Sequence, residues 1–208
     1  MKGKVSKNKF LKVVLPALLV VAIICQAVGF QAVLAKGNVA STSSDSISNL
    51  TDQQLQALTN PILQSYKADS SHKVWKMTND SRLAVLANQT NIENARLQEV
   101  VKLVNSEFVE KEIISSPLAM VYAQEKDVSY GDILIDIDQT SSITSSSNSK
   151  EAYKITIGEN GVRLTGASEN AIMHGLRTIQ NLIITNDGLV YGEIVDYPNV
   201  AERRVHVD

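Results

Sequence analysis

Cysteine and histidine are scarce in this sequence, and their scarcity excludes two classes of site. The chain of 208 residues has one cysteine, Cys25, so no disulfide can form within it and a folded domain must rely on its hydrophobic core. The three histidines, His72, His174 and His206, have no metal-ligand spacing to one another, and no HExxH motif surrounds His174. No GK[ST] pattern of a phosphate-binding loop follows the glycines. We therefore predict no metal site and no cofactor.

Basic residues are also few once the N-terminal segment is set aside. Residues 1–35 contain five of the 20 Lys and Arg and none of the 22 Asp and Glu. Residues 36–208 therefore carry 15 basic and 22 acidic side chains, a formal net charge of −7. Because an acidic chain without a basic stripe is repelled by the phosphate backbone, we predict no binding to nucleic acid.

Residues 1–35 have the pattern of a signal peptide. Five lysines between Lys2 and Lys12 precede the apolar run Val13–Ile24, and Val33-Leu34-Ala35 supplies small residues for cleavage. The alternative is an uncleaved anchor, because the apolar stretch approaches the ~18–20 residues that span a bilayer. We predict a secreted or cell-surface protein that contacts the membrane only through this segment. A long lysine-rich start before a cysteine-free chain is typical of Gram-positive bacteria.

Residues 36–72 are rich in Ser, Thr, Asn and Asp and have little regular apolar spacing. Such a segment buries too little apolar surface to offset the entropy lost on ordering. We predict a flexible tether here, with at most one short helix after Thr51.

Residues 73–150 contain strand and helix patterns in succession. Asn91 is placed to cap a helix whose apolar residues recur at helical spacing. Asp132, Asp136 and Asp138 alternate with isoleucines, which predicts a strand with one solvated face. No ligand loop with glycine surrounds these aspartates, so calcium binding is not favoured. Strands are predicted at Leu83–Leu86, Leu118–Ala123 and Asp132–Asp138.

The stretch Glu151–Asp208 has the clearest local signals. Alternation on both sides of Glu159-Asn160-Gly161 predicts a hairpin. Ser168 caps an amphipathic helix that ends at Asn186-Asp187-Gly188, and Leu189–Val195 returns as a strand that stops before a proline. The helix has its apolar face at Ile172, Leu176, Ile179 and Ile183.

Taken together, these elements predict an α+β fold of two layers, with two helices packed on one face of a sheet. The predicted domain covers residues 73–199, and one more strand begins at residue 200.

The order of elements after residue 150 resembles a known enzyme family. The phrases EAYKITI, GVRLTGAS, NAIMHGLRTIQNLI, GEIVDYP and ERRVHVD follow one another as they do in family 20 glycoside hydrolases, the β-N-acetylhexosaminidases and lacto-N-biosidase-like enzymes. In that family the order marks the junction between a non-catalytic α/β domain and a TIM barrel. The resemblance implies that residues 73–199 are this domain, which has a zincin-like shape, and that residues 200–208 are the first strand of a truncated (β/α)8 barrel.

The resemblance also implies a role for Arg203. In the family, the arginine that opens the first barrel strand binds two neighbouring hydroxyls of the terminal N-acetylated sugar, which suits the guanidinium fork. Arg203 is the matching residue, followed by an aspartate at Asp208. Arg204 stands where the family often has glycine, and it is the substitute candidate. The alternative role for Arg203 is an ion pair at the domain interface, with Glu202 or Asp196.

The activity implied by the resemblance is removal of terminal β-linked N-acetylhexosamine, or lacto-N-biose, units from glycans by substrate-assisted retaining hydrolysis. The Asp-Glu pair of that mechanism lies beyond Asp208 in the family pattern. We therefore expect residues 1–208 to hold no catalytic residue and to be inactive alone, as the N-terminal fragment of a secreted enzyme whose partner is its own catalytic barrel. Two alternatives remain: a secreted non-catalytic packing or carbohydrate-binding module, and the leading domain of another glycosidase family.

Overall fold

A mixed seven-stranded sheet forms the centre of the domain. The computed structural model describes residues 47–139 and 150–197. Their strands are β1 (Ser65–Ala68), β2 (Val74–Trp75), β3 (Arg82–Leu86), β4 (Ala119–Ala123), β5 (Ile133–Ile137), β6 (Tyr153–Gly158), β7 (Gly161–Gly166), β8 (Leu189–Val190) and β9 (Gly192–Asp196). The sheet has the order β1-β9-β6-β7-β5-β3-β4, with parallel pairing from β7 to β4 and antiparallel pairing elsewhere. Strands β2 and β8 form a separate antiparallel pair.

Two long helices pack side by side on one face of this sheet. The described helices are α1 (Asp52–Gln56), α2 (Gln89–Ile92), α3 (Ala95–Glu110) and α4 (Glu169–Asn186). The main hydrophobic core contains Leu97 and Val104 of α3 and Ile172 and Ile179 of α4, together with strand residues such as Leu164. Among the described residues, a smaller apolar cluster of Ala84, Ala123 and Leu134 lies on the other face of the sheet. The prediction of an α+β fold with two helices on one face is confirmed.

The predicted hairpin and second helix are also confirmed. Strands β6 and β7 pair from Tyr153 opposite Gly166 to Gly158 opposite Gly161. The side chain of Ser168 accepts a hydrogen bond from the backbone N–H of Ala171, as an N-cap does. Helix α4 ends where Asp187 adopts the left-handed conformation, at φ 59°.

Helix α4 lies close against the sheet at Gly175. A Cβ atom built at this glycine would lie 2.3 Å from Cδ1 of Leu164 and 3.2 Å from Cδ2 of Tyr153. The missing side chain therefore lets the helix backbone sit directly over strands β6 and β7.

The prediction that Asn91 caps the long helix is wrong. Asn88 caps α2, and the side chain of Asn94 accepts the backbone N–H of Leu97 to begin α3. The Asn91 side chain is buried instead, where it donates to the Leu86 carbonyl and accepts the N–H of Ile137. Several asparagines in this segment can cap a helix, and tertiary contacts decide which one does.

The prediction of one continuous strand over Leu189–Val195 is wrong as well. The chain changes sheets at Tyr191, whose N–H donates to the carbonyl of Lys73. Gly192 then takes φ 150°, and its backbone packs so closely on Lys67 that a Cβ atom would lie 2.1 Å from the Lys67 carbonyl oxygen. The glycine therefore divides the segment into β8 and β9.

The predicted flexible tether over residues 36–72 is corrected where the structure describes it, from residue 47 onward. Thr51 caps α1, which confirms the short helix predicted after this residue. Leu55, Leu63 and Tyr66 are buried in the main core, and the Tyr66 hydroxyl donates to the Val190 carbonyl at 2.8 Å. Strand β1 pairs with β9, so the domain begins well before residue 73. The composition of the segment does not reveal this order. A few apolar side chains are enough to order the segment when they pack on residues that lie far along the chain.

Across the two described ranges, every helix is too short or too polar to cross a bilayer.

Candidate functional site

Several predicted residues lie outside the described part of the chain. These are Arg203, Arg204 and Asp208, with the whole predicted barrel strand 200–208, and the predicted signal peptide 1–35. Of the described histidines, His72 lies in an exposed turn with φ 48°, and His174 lies on α4. Within residues 47–139 and 150–197 no group of three or more His, Cys, Asp and Glu side chains is arranged to hold a metal ion.

The second described range ends beside a small polar cleft. The cleft has a volume of about 130 Å³ and lies between α4, the end of β9 and the loop that precedes β1. Tyr197, the last described residue, lines it. The other lining residues are Thr59, Asn60, Pro61, Leu63, Glu151, Tyr153, His174, Arg177, Thr178, Asn181 and Asp196. We call this the exit cleft.

Three side chains join neighbouring elements on one wall of the exit cleft. The Tyr153 hydroxyl of β6 lies 2.6 Å from the Thr178 Oγ1 atom of α4 and donates to Oδ2 of Asp196 at 2.9 Å. The other carboxylate oxygen, Oδ1, accepts the backbone N–H of Gln64 at 3.2 Å. Asp196 therefore ties the end of β9 to β6 and to the start of β1.

The same tyrosine is a donor at neutral pH. Burial and the nearby charge of Asp196 raise the pKa of Tyr153 well above its usual value. Its hydroxyl therefore keeps its proton and can act as a hydrogen-bond donor but not as a base. The wall is suited to holding a polar group or a backbone segment in place.

An ion pair joins the two long helices next to the exit cleft. Arg177 of α4 donates to Glu107 of α3 through Nε at 3.2 Å and through Nη2 at 2.6 Å. These hydrogen bonds hold the pKa of Glu107 below its usual range. A two-pronged pair of this kind fixes the spacing of the helices more tightly than a single contact would.

Two of the three aspartates predicted on a solvated strand face, Asp132 just before β5 and Asp136 within it, are buried and paired, which corrects that prediction. Asp132 is 2% exposed and accepts two hydrogen bonds from Arg82, at 2.9 and 2.6 Å. Asp136 is 6% exposed and pairs with Arg163 at 3.2 Å. The arginines come from β3 and β7, which flank β5 in the sheet. The alternation of apolar and acidic residues along β5 does not by itself indicate these partners.

Sequence reasoning missed the residues of the exit cleft. The sequence places Tyr153 in the predicted hairpin and Asp196 before a proline, as a possible partner of Arg203, but it does not bring these two residues together. One local signal pointed to them: Arg177 and Thr178 are polar residues within a helix that is otherwise mostly apolar around them. A polar side chain on a buried helix face requires a polar partner.

Comparison with known proteins identifies the fold. The family model for glycosyl hydrolase family 20, domain 2, matches residues 59–197. A chitobiase from Flavobacterium johnsoniae superposes with a TM-score of 0.55 at 15% identity, over 76% of this chain and 23% of that chain. An N-acetyl-β-hexosaminidase from Streptomyces plicatus, solved in complex with Thio-NAglucal, superposes with a TM-score of 0.52 at 15% identity, over 73% and 28%. No curated protein sequence matches the chain.

The chain spans about a quarter of the length of these two enzymes. At this level of identity the superpositions establish the fold and nothing finer. The family model begins at residue 59, which agrees with a domain that starts before residue 73. Since that model covers more than half of the sequence, the chain belongs to glycosyl hydrolase family 20 through its domain 2.

Proposed function

We propose that this chain is the leading, non-catalytic part of a hexosaminidase-type glycoside hydrolase. The match of the family 20 domain 2 model to residues 59–197 carries the proposal. The full enzyme would remove terminal β-linked N-acetylhexosamine or lacto-N-biose units from glycans. Hydrolysis would be substrate-assisted and retaining, with the sugar's acetamido group acting as the nucleophile.

The catalytic Asp-Glu pair would be contributed by the part of the barrel that follows residue 208. Arg203 would lie at the beginning of that barrel and bind the hydroxyls of the terminal sugar. The described residues of the exit cleft support a structural role. Tyr153 keeps its proton and donates to Asp196, and Arg177 of α4 is paired with Glu107 of α3. We therefore propose that residues 1–208 are inactive alone.

Export is part of the same proposal. A glycan-degrading enzyme reaches polymeric substrates outside the cell, and residues 1–35 have the cationic and apolar pattern of a signal peptide. Cleavage after Ala35 would release a chain that starts at residue 36.

The proposal is tested with two proteins: residues 36–208, and the polypeptide encoded when the reading frame is continued past codon 208. Both are assayed on 4-methylumbelliferyl N-acetyl-β-D-glucosaminide. We expect hydrolysis by the longer protein and none by the shorter one. A stop codon directly after residue 208, or equal hydrolysis by both proteins, would contradict the proposal.

Calorimetry separates the proposal from its alternatives. Residues 36–208 are titrated with N-acetylglucosamine, and we expect no measurable binding. Binding in the millimolar range or tighter would favour a carbohydrate-binding module instead. Hydrolysis of a different glycoside by the longer protein, with none of the N-acetylglucosaminide, would favour the leading domain of another glycosidase family.

A further inference from the structure

Strand β4 forms an unpaired edge of the seven-stranded sheet. It lies at the end of the strand order, beside β3, and no other strand of the described residues pairs with its outer side. The carbonyl of Ala123 accepts the N–H of Ala87, which follows β3, so the backbone groups of Ala123 face inward. Because this direction alternates along a strand, the N–H and C=O groups of Met120 and Tyr122 face outward.

The free part of this edge is limited at both ends. Leu118 belongs to the same outward row, but its N–H donates to Oδ1 of Asn105 at 2.9 Å and its carbonyl accepts Nδ2 of Asn105 at 2.8 Å. At the other end, the carbonyl of Gln124 accepts the N–H of Asp127 at 2.9 Å. Between these ends, four outward backbone groups stay free of a partner within the described part of the chain.

The opposite edge of the sheet, formed by β1, is protected against pairing with another chain. Asp52 of α1 accepts the N–H of Ala68 at 3.0 Å, which occupies an outward group of β1. Lys67 adds an exposed charge to the same strand, and charged residues discourage edge-to-edge pairing. By contrast, residues 113–124 contain no charged side chain, so β4 has no such protection.

The side chains of β4 have the same order of sizes from either end, with Val121 at the centre and an alanine at each end: Ala119-Met120-Val121-Tyr122-Ala123. Met120 packs against the main core and Val121 against the smaller cluster, so the two lie on opposite faces. Tyr122 shares the face of Met120 and is 43% exposed. A second copy related by a two-fold axis at Val121 therefore places Met120 opposite Tyr122 and alanine opposite alanine.

The same axis also pairs the free backbone groups. Met120 of one copy and Tyr122 of the second exchange two N–H···O=C hydrogen bonds, and symmetry repeats the pair. Moving the axis to Met120 would place Tyr122 opposite Leu118, whose groups are already bonded. Moving it to Tyr122 would place Met120 opposite Gln124, whose carbonyl is already bonded. Of these three axes, only the one at Val121 pairs all four groups.

We propose that the outer edge of β4 is the site where a second copy of this chain pairs, antiparallel and across a two-fold axis at Val121. The two seven-stranded sheets then form one continuous sheet. The two Val121 side chains meet on the open face and extend its smaller apolar cluster. Because a short edge buries little area, we expect association in about the micromolar range. The proposal does not rest on the proposed function, since β4 lies within the described domain.

Disulfide cross-linking tests the register directly. Residues 36–208 contain both described ranges and no cysteine, so an introduced cysteine reports only on its own position. In Val121→Cys the two Cα atoms would lie about 4.5 Å apart, within the range of about 4.4–6.8 Å that a disulfide spans. Tyr122→Cys is the matched control, because its position is more exposed but lies diagonally across the axis, about 7–8 Å from its copy. We expect Val121→Cys to form a covalent dimer at least about tenfold faster under mild oxidation.

A second measurement uses the unsubstituted chain and so does not depend on how Val121→Cys folds. Sedimentation equilibrium of residues 36–208, from about 1 to about 500 μM, should show the mass rise from one copy to two. Over the same range, hydrogen exchange of the Met120 and Tyr122 amides should slow by about tenfold or more. The Val121 amide is already bonded to β3 and should not change.

Four results would overturn the pairing proposal. One is a single-copy mass at every concentration. Another is cross-linking of Tyr122→Cys as fast as that of Val121→Cys, which would indicate random collision or another register. A third is a dimer in which the exchange of the Met120 and Tyr122 amides is unchanged, which would place the contact elsewhere. The fourth is a dimer of residues 36–208 that is lost in the longer polypeptide, which would show that the chain covers this edge itself. The hydrolysis assay is independent of all four, so failure of this proposal and failure of the proposed function are distinguishable.

Discussion

The hydroxyl of Tyr153 lies 2.9 Å from the carboxylate of Asp196, 43 positions later in the chain. Tyr153 opens β6, and Asp196 closes β9, which pairs with it. Asp196, the aspartate of the Asp-Tyr-Pro sequence, thus has a structural role, because it joins strands β1, β6 and β9 near the end of the described residues.

Removal of this hydroxyl should destabilise the domain. In Tyr153→Phe, Thr178 and Asp196 each lose a hydrogen-bond partner, and Thr178 is buried. We expect a loss of about 1–3 kcal/mol in the free energy of unfolding, measured by urea denaturation of residues 36–208. Tyr122→Phe is the control, since this tyrosine is 43% exposed on the edge strand β4 and its hydroxyl bonds no described residue. Equal losses in the two variants would contradict the role of the Tyr153 hydroxyl.

Truncation of Ile179 should create a cavity under α4. Ile179 is fully buried in the main core, and Ile179→Ala should cost roughly 2–4 kcal/mol. Ile184→Ala removes the same atoms from an exposed position of the same helix, and its midpoint in urea should move little. If both variants melt alike, the assignment of the buried helix face is wrong.

Gly175→Ala sets helix propensity against packing. Alanine is the better helix former by about 1 kcal/mol, so propensity alone predicts a more stable protein. The new methyl group, however, would meet the buried Leu164 side chain at 2.3 Å and the Tyr153 ring at 3.2 Å. Overpacking of a filled core costs typically about 1–3 kcal/mol, so we expect net destabilisation in thermal melts. A higher melting temperature would show that Leu164 can move aside.

The elements that sequence predicted well are those whose signals are local. Ser168 caps α4 because its own side chain reaches the N–H of Ala171, and Gly161 follows a tight turn between two alternating segments. Strand β1 had no such signal, since its stability comes from pairing with β9 about 130 residues later. A segment that is stabilised by distant partners therefore resembles a linker when only its sequence is considered.

The candidate site was harder to predict from the sequence than the fold, and for the same reason. Tyr153, Thr178 and Asp196 belong to three elements, and their contacts follow from the packing of α4 over β6 beside β9. Likewise, alternation along the chain predicts that Asp132 and Asp136 face solvent. The strand order instead places Arg82 and Arg163 beside them as partners. Arg203 stays a prediction, because it lies outside the described residues.

Arg203→Ala tests the substrate-binding role in the longer polypeptide. We expect kcat/KM on an N-acetyl-β-glucosaminide to fall at least about tenfold, since each charge-assisted hydrogen bond to a sugar hydroxyl contributes about 1.5–3 kcal/mol. The unfolding midpoint should be retained. Arg204→Ala is the matched control and should leave kcat/KM nearly unchanged. The reverse result would assign the role to Arg204, and a lowered midpoint with intact kcat/KM would favour an interface ion pair.

The buried carboxylate of Asp132 should make stability depend on acid pH. Burial raises the pKa of Asp132, but hydrogen bonds from Arg82 and from the Ser129 N–H lower it by more, so the pKa lies below its usual range. A depressed pKa in the folded state stabilises the fold at pH values above the unfolded pKa of about 3.9. This contribution is lost as the pH falls through the lower, folded value.

Asp132→Asn should therefore cost about 2 kcal/mol at pH 7, and the cost should shrink as the pH falls from about 5 to below 3. Urea unfolding of both proteins across this range measures it. Glu159→Gln is the control, because its pair with Lys73 is exposed on both sides and water screens it, so it should change the midpoint little at any pH. A cost for Asp132→Asn that stayed constant down to pH 3 would mean that lost packing, and not the charge held by Arg82, accounts for the effect.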